Sequence, residues 1–322
     1  MEPAESRAVL TVPLGDGGVS GDLARLHLDD GSTLVAKRPA RDPIVRERQR
    51  ALGMYEREAR FYSELASRVP LRTPVCVSAS ADLILLEDLA PAVAGTFRDG
   101  LTPDQVDAVV SDFARLHSQW QGAKELDDLG WLWRVRADEA ARWQANLAER
   151  LPRFVDRHRA RLREDDVRLA EDLTASLTEV MTAAASLPAT FCHGDPGPPN
   201  LMFGHPSAPV AYIDWQLAAA RHGALDLAWL LTLGVPVEMR RAHEAGWVAR
   251  YGAEVGAADD LPRAYALGVA LALRAPIWMG GAPERERSAH VDAYAEATLD
   301  RAFSAAAQHD VRTILRKGPA HG

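Results

Sequence analysis

Three oxygen-bearing side chains, Asp195, Asn200 and Asp214, form the part of this chain best suited to chemistry. Leu201-Met202-Phe203 and Val210-Ala211-Tyr212-Ile213 read as short strands on either side of the turn Gly204 to Pro209. If they pair as a hairpin, Asn200 and Asp214 stand side by side at its open end, just after the loop His193-Gly194-Asp195-Pro196-Gly197-Pro198-Pro199. Two hard oxygen donors at one mouth suit Mg²⁺, which takes one or two protein oxygens and leaves its other positions to phosphates and water. Asp195, five residues before Asn200, stands apart from that pair and is placed to orient an incoming hydroxyl and accept its proton. That is the division of labour phosphoryl transfer requires.

The elements that must position these residues fall into two parts. Before residue 90, Val9 to Leu14, Leu23 to Leu28 and Thr33 to Lys37 are β-compatible runs, the last two joined at Asp30-Gly31, a pair that tolerates positive φ. A helix follows with Leu52, Tyr55, Ala59, Tyr62 and Leu65 on its apolar stripe and Glu58 at the stripe's edge. Leu83 to Leu86 reads as a buried strand. Beyond residue 90 the pattern is helical. Thr102-Pro103-Asp104-Gln105 is a capping box with proline at the first helical position, followed by the apolar face Val106, Val109, Val110, Phe113, Leu116 and Trp120. Further helices are expected at about 137–149, 166–186, 225–234, 238–252, 261–279 and 287–309.

Composition excludes several classes. The 322 residues, 47 % of them hydrophobic, suffice for two domains, and a net charge of −8 disfavours a nucleic-acid binder. Cys76 and Cys192 lie far apart and form no C-x-x-C pair, which suits a reducing cytoplasm. The start, Met1 to Arg7, is acidic before it is apolar, the reverse of a signal peptide, and Ala264 to Leu273 is too short an uncharged run to cross a membrane. There is no G-x-S-x-G, no H-E-x-x-H and no Walker G-x-x-x-x-G-K-[ST].

His193-Gly194-Asp195-x-x-x-x-Asn200 followed by Ile213-Asp214-Trp215 resembles the H-G-D-x-x-x-x-N and I-D-W motifs of the aminoglycoside phosphotransferase and choline kinase group. Tyr55 to Tyr62, Leu86 to Pro91 and Ala114-Arg115-Leu116-His117 look most like the ecdysteroid-kinase-like branch and its bacterial relatives, and the match runs from about residue 15 to 230. The resemblance implies an α+β, two-lobed protein-kinase-like fold, with a nucleotide-binding lobe over 1–88 and a helical lobe carrying the catalytic loop and acceptor site over 89–322. It implies ATP and Mg²⁺, and transfer of phosphate to a hydroxyl of a small molecule. Carried onto this chain, Lys37 binds the α- and β-phosphates, Glu58 pairs with Lys37, and the backbone of Glu87 to Leu89 holds adenine. Asp226 braces the catalytic loop. The loop Gly15 to Gly21 does not fit G-x-G-x-x-G in register, so Ser20 is assigned a phosphate contact from its position between two strands.

Prolines at 196, 198 and 199 stiffen the catalytic loop. Eleven residues between Asp214 and Asp226 leave no room for a long activation segment, which weighs against a regulated protein kinase. A peptide Ser/Thr acceptor and a nucleotide-binding pseudokinase or scaffold remain the competing readings. His117 and His193 read as structural histidines, and the eight tryptophans, all after residue 119, read mainly as packing residues. The Arg-rich stretch Arg150 to Arg163 invites an anionic acceptor, while Asp292 and Glu296 invite a cationic one. Oligomeric state is left open.

Overall fold

The computed structural model describes residues 7–14, 21–256 and 260–317. Alternation along the first runs is resolved by one antiparallel sheet of five strands: β1 (Ala8–Pro13), β2 (Asp22–Leu28), β3 (Thr33–Arg38), β4 (Cys76–Ala79) and β5 (Ile84–Glu87), in the order β1-β2-β3-β5-β4. The β2–β3 turn closes as its residues dictate: Asp30 accepts from the Ser32 amide, and Gly31 takes a φ of 82°. Strand β5 shows the period of two. Ile84 and Leu86 join the main core, whereas Leu85 joins a small separate cluster with Leu26, Leu28 and Ala36.

Between β3 and β4 the chain forms α1 (Pro43–Ala51), capped by Asp42, and α2 (Met54–Arg60), which runs on into a π-helical turn at Phe61–Leu65. The expectation that Leu52 lies on the α2 stripe is corrected. Gly53 at φ 65° separates the two helices, and Leu52 is left exposed, while Tyr55, Ala59, Tyr62 and Leu65 are buried.

After β6 (Val93–Ala94), α3 (Pro103–Trp120) starts at the expected Thr102–Gln105 capping box, and its apolar face is fully enclosed. The short α4 (Glu125–Asp128) leads to α5 (Ala137–His158) and α6 (Glu164–Ala185). Helix α5 passes through Pro152 and ends nine residues beyond the expected boundary at 149. The lost backbone bond is offset across the helix pair: Arg153 and Arg157 donate to the carbonyls of Gly281 and Gly280.

Short strands β7 (Thr190–Cys192) and β10 (Ala219–Arg221) pair with each other, and β8 (Leu201–Phe203) with β9 (Ala211–Tyr212), as the hairpin reading required. Helices α7 (Ala224–Gly234), α8 (Val237–Val255), α9 (Leu261–Gly280), α10 (Ala289–Gln308) and α11 (Val311–Lys317) complete the chain. Alanine-rich α9 is enclosed by α5, α6, α7 and α10, because small side chains let four helices approach it. Among the described residues no helix is long and apolar enough to cross a membrane.

Candidate active site

Strand pairing sets the site's frame. Leu201 faces Tyr212 and Met202 faces Ala211, and the Ile213 amide donates to the Asn200 carbonyl at 3.0 Å, so Asn200 and Asp214 are neighbours across the hairpin's open end. The Asn200 side-chain nitrogen donates to the Asp195 carbonyl at 2.8 Å, which closes the 193–200 loop on itself and leaves the amide oxygen as the acceptor of that side chain. Pro198 to Asn200 form one turn of 3₁₀ helix, with the Asn200 amide bonded to the Gly197 carbonyl at 2.9 Å. Gly194 is required here: at φ 93° an added Cβ would lie 1.8 Å from the Leu217 carbonyl oxygen.

His193 fastens the loop to the hairpin. Its Nδ1 accepts from the Asp195 amide, so the proton sits on Nε2, which donates to the Ile213 carbonyl at 3.0 Å. Burial holds its pKa below the usual histidine range, in keeping with a neutral structural ring. Asp226 takes the neighbouring amides of His193 and Gly194 at 2.7 and 3.2 Å and pairs with Arg221 at 2.5 Å. Burial opposes that carboxylate, but the Arg221 guanidinium and His117 outweigh it and hold the group well below the usual carboxylate range. His117, Cys192 and Asp226 offer atoms within 4.8 Å of one another. With the Asp226 oxygens already taken by two amides and a guanidinium, this cluster braces the loop.

Lys37, on the middle strand of the sheet, reaches Glu58 Oε2 at 2.7 Å and Asp214 Oδ1 at 2.7 Å. Glu58 is 1 % exposed and Lys37 10 %. Glu56, two positions before Glu58, is exposed. Burial works against the ammonium, but the two carboxylates hold its pKa above the usual lysine range, so it stays charged. Asp214 itself has φ 64° and ψ 63°, a left-handed conformation that a short polar side chain tolerates, and its second oxygen accepts from Gln216 at 3.1 Å.

Two connections were not read from the sequence. Buried Arg57 donates to the carbonyls of Gln216, Leu52 and Trp131 at 2.8, 3.1 and 3.2 Å, tethering the helix of Glu58 to the turn after Asp214. Phe61 stacks on Trp215 with ring centroids 3.9 Å apart, and Phe191 continues the stack at 5.8 Å from Trp215. Neither Arg57 nor Phe61 lies on the apolar stripe read from the sequence, and Trp215 carried only its place in the Ile213-Asp214-Trp215 motif.

At the β5 end, the Glu87 carboxylate accepts from Arg72 and from the Val75 amide, Asp88 pairs with Arg25 at 2.5 Å, and the Leu89 carbonyl accepts from the Ala92 amide. The Glu87 side chain is therefore spent within the sheet. Ser20 lies outside the described residues.

Asp195 faces a wall of aromatic residues. Burial and the Asp214 charge push its carboxyl up to about 6, against the Trp229 indole N–H, which favours the ionised form. Phe97 touches the loop at Gly197, where a Cβ would lie 2.7 Å from its ring, and Tyr294 meets Phe97 edge-on at 4.5 Å.

A five-stranded antiparallel sheet above a helical body, with a lysine–glutamate pair on one side and an Asp–Asn–Asp constellation on the other, is the architecture of a kinase-like phosphotransferase. The chain belongs to the phosphotransferase enzyme family, whose model matches residues 11–267, and it is a small-molecule kinase of α+β, kinase-like fold. Family membership brings a nucleotide and a divalent metal in general terms. Among solved structures it is similar to macrolide 2′-phosphotransferase MphH from Brachybacterium faecium, with TM-score 0.55 and 20 % identity over 89 % of this chain and 91 % of that one. Choline kinase LicA from Streptococcus pneumoniae gives TM-score 0.59 and 15 % identity over 94 % of each chain. A choline/ethanolamine kinase family protein from Mesorhizobium loti gives 0.55 and 15 % over 98 % and 94 %. At such identities the likeness is one of fold. A search of curated proteins finds no match.

Proposed function

We propose that this chain transfers the γ-phosphate of ATP to a hydroxyl group of a small molecule, with Asp195 on the acceptor side and Lys37 and Asp214 on the nucleotide side. The observation that carries this reading is the double ion pair of Lys37 with Glu58 and Asp214, drawn from three separate elements into one cleft beside the Asp195 loop. Glu58 and the Arg57 tether hold the lysine where its charge offsets the α- and β-phosphates. The backbone of Glu87 to Leu89 takes the adenine edge.

The donor set suits Mg²⁺. Asp214 offers a carboxylate and Asn200 an amide oxygen, both hard oxygen donors, and the Asn200 nitrogen is committed to Asp195. When bound, the ion neutralises phosphate charge and polarises the transferring group. Asp195, ionised at neutral pH, hydrogen-bonds the acceptor hydroxyl. As the new oxygen–phosphorus bond forms and the bond to the β-phosphate oxygen breaks, Asp195 accepts the hydroxyl proton, and ADP leaves with the bonding electrons.

The test is Mg²⁺-dependent ADP release from ATP with wild type and Asp214→Ala, against aminoglycosides, macrolides, nucleosides, sterols, hydroxyacyl-coenzyme A esters and Ser/Thr peptides. Turnover of one small-molecule class, lost in the variant, is expected. Turnover of peptides alone, or Mg-ATP binding with no phosphorylated product, would replace this reading with a peptide kinase or a pseudokinase.

A further inference from the structure

The sequence offered two opposite guesses about the acceptor's charge, and the structure removes the grounds for both. Arg150 pairs with Glu286 at 2.5 Å, Arg157 with Glu284 at 2.7 Å, and Arg161 with Glu296 and Asp300 at 2.6 and 2.8 Å. Asp292 pairs with Arg287 at 2.7 Å. These charges clip the end of α5 and the residues after it to α10 and to the segment before α10, and they neutralise one another.

Arg274 on α9 is different. Its guanidinium lies 4.9 Å from the Trp143 ring centroid and 5.6 Å from that of Trp229, its Nε is buried without a hydrogen-bond partner, and no carboxylate among the described residues forms an ion pair with it. Burial and the Arg221 charge lower its pKa to about 10, against the opposing charges of Asp195 and Glu139, neither of which pairs with it. Cation–π contact with two indoles recovers part of the lost hydration but offers nothing to the N–H fork, whose natural partner is a planar or tetrahedral anion. The location matters equally. Trp229, against which Arg274 rests, also has a buried indole nitrogen without a standard hydrogen bond, and that N–H acts on the Asp195 carboxylate. Tyr294 and Phe97 border the same loop, and Trp278 extends the wall from Trp143 at 4.9 Å.

We propose that the acceptor carries an anionic group, a carboxylate or a phosphate or sulfate ester, which pairs with Arg274 while its hydroxyl lies at Asp195 and its apolar body rests on Trp143 and Trp229. This rests on the phosphotransfer reading and narrows it. A cationic acceptor would meet the Arg274 charge in a poorly hydrated wall, where repulsion is weakly screened.

The experiment uses isosteric probes that differ in charge: 4-(hydroxymethyl)benzoate, 4-(hydroxymethyl)benzamide and 4-(aminomethyl)benzyl alcohol, together with glycerol 2-phosphate against glycerol. ADP release is measured with Mg-ATP, and binding by tryptophan fluorescence with Mg-ADP. Anionic probes should bind and turn over at least ~10-fold better than their neutral partners. Arg274→Met should lower kcat/KM, or binding where turnover is slow, by ~10–100-fold for anionic probes and by much less for neutral ones, with Arg274→Lys intermediate and melting curves confirming folded variants. Neutral or cationic probes equal to or better than anionic ones, equal failure of all probes to bind, or an Arg274→Met effect independent of charge would overturn the proposal. Loss of the parent reading looks different: no thermal shift with Mg-ATP and no ADP release with any acceptor.

Discussion

Lys37 and Asp214, 177 positions apart in the chain, meet at 2.7 Å. One residue is carried by the middle strand of a sheet and the other by the open end of a hairpin. Their contact therefore registers the two halves of the cleft against each other, and Glu58 on α2 fixes the lysine from the third side. Chemistry and structure should separate cleanly at this point. Asp214→Asn retains a side chain that tolerates the left-handed backbone, so the melting temperature should change by only a few degrees while turnover falls at least ~10²-fold. Parallel melting and ADP-release assays check both halves; a variant that keeps most of its turnover would remove Asp214 from the metal assignment.

Asp195 sets a pH dependence. In the proposed mechanism its carboxyl, pushed up to about 6, is ionised when it accepts the hydroxyl proton. Activity should thus be present above that value and lost as the pH falls through it. Asp195→Asn should lower kcat by ~10²–10⁴-fold and abolish this acidic limb. Trp229→Phe, which removes the N–H that favours the ionised form, should move the limb upward. A pH–rate profile for each variant decides.

The Asp226–Arg221 pair makes a stability prediction. Because the folded-state pKa of Asp226 is depressed, its contribution is fully present above the unfolded carboxylate range near ~4 and is lost as the pH falls toward the folded value. Asp226→Asn leaves Arg221 buried without its counter-charge and should cost ~3–5 kcal/mol in urea unfolding at pH 7, with a flatter acid dependence than wild type. Pairing it with Arg221→Met should recover part of that loss.

Gly194→Ala meets both a positive φ and a carbonyl oxygen at 1.8 Å. Destabilisation above ~4 kcal/mol, or failure to accumulate folded protein, is expected. A variant with wild-type melting would mean that the loop has another accessible path.

Arg57→Lys keeps the charge but cannot reach three carbonyls at once, so the tether between α2 and the Gln216 turn loosens. Expected is a loss of ~1–3 kcal/mol in stability, with kcat reduced more than the KM for the acceptor. An unchanged kcat in a destabilised variant would make Arg57 purely structural.

Much of the frame was legible residue by residue, because its signals are local. Asp30-Gly31 makes its own turn, Thr102 to Gln105 satisfies its own helix end, and the spacing around Leu201 to Ile213 brings Asn200 beside Asp214 as soon as the strands pair. Strands β4, β7 and β10, of three or four residues, carry no readable period, and they exist because neighbours complete their hydrogen bonds. Pro152 should have stopped α5 by every local rule; arginines reaching carbonyls 128 and 123 positions away hold it together.

What the sequence alone determined, then, was which chemistry the chain can carry, since that depends on residue types at short, regular spacing. Only the tertiary structure decided which charges are spent and which are left over. Arg150 and Arg274 are the same residue in similar arginine-containing helices, yet one is neutralised by Glu286 and the other faces two indoles with no carboxylate among the described residues in ion-pair contact. Whether a charge is compensated depends on what distant parts of the chain bring within a few ångströms, and no local pattern encodes that distance.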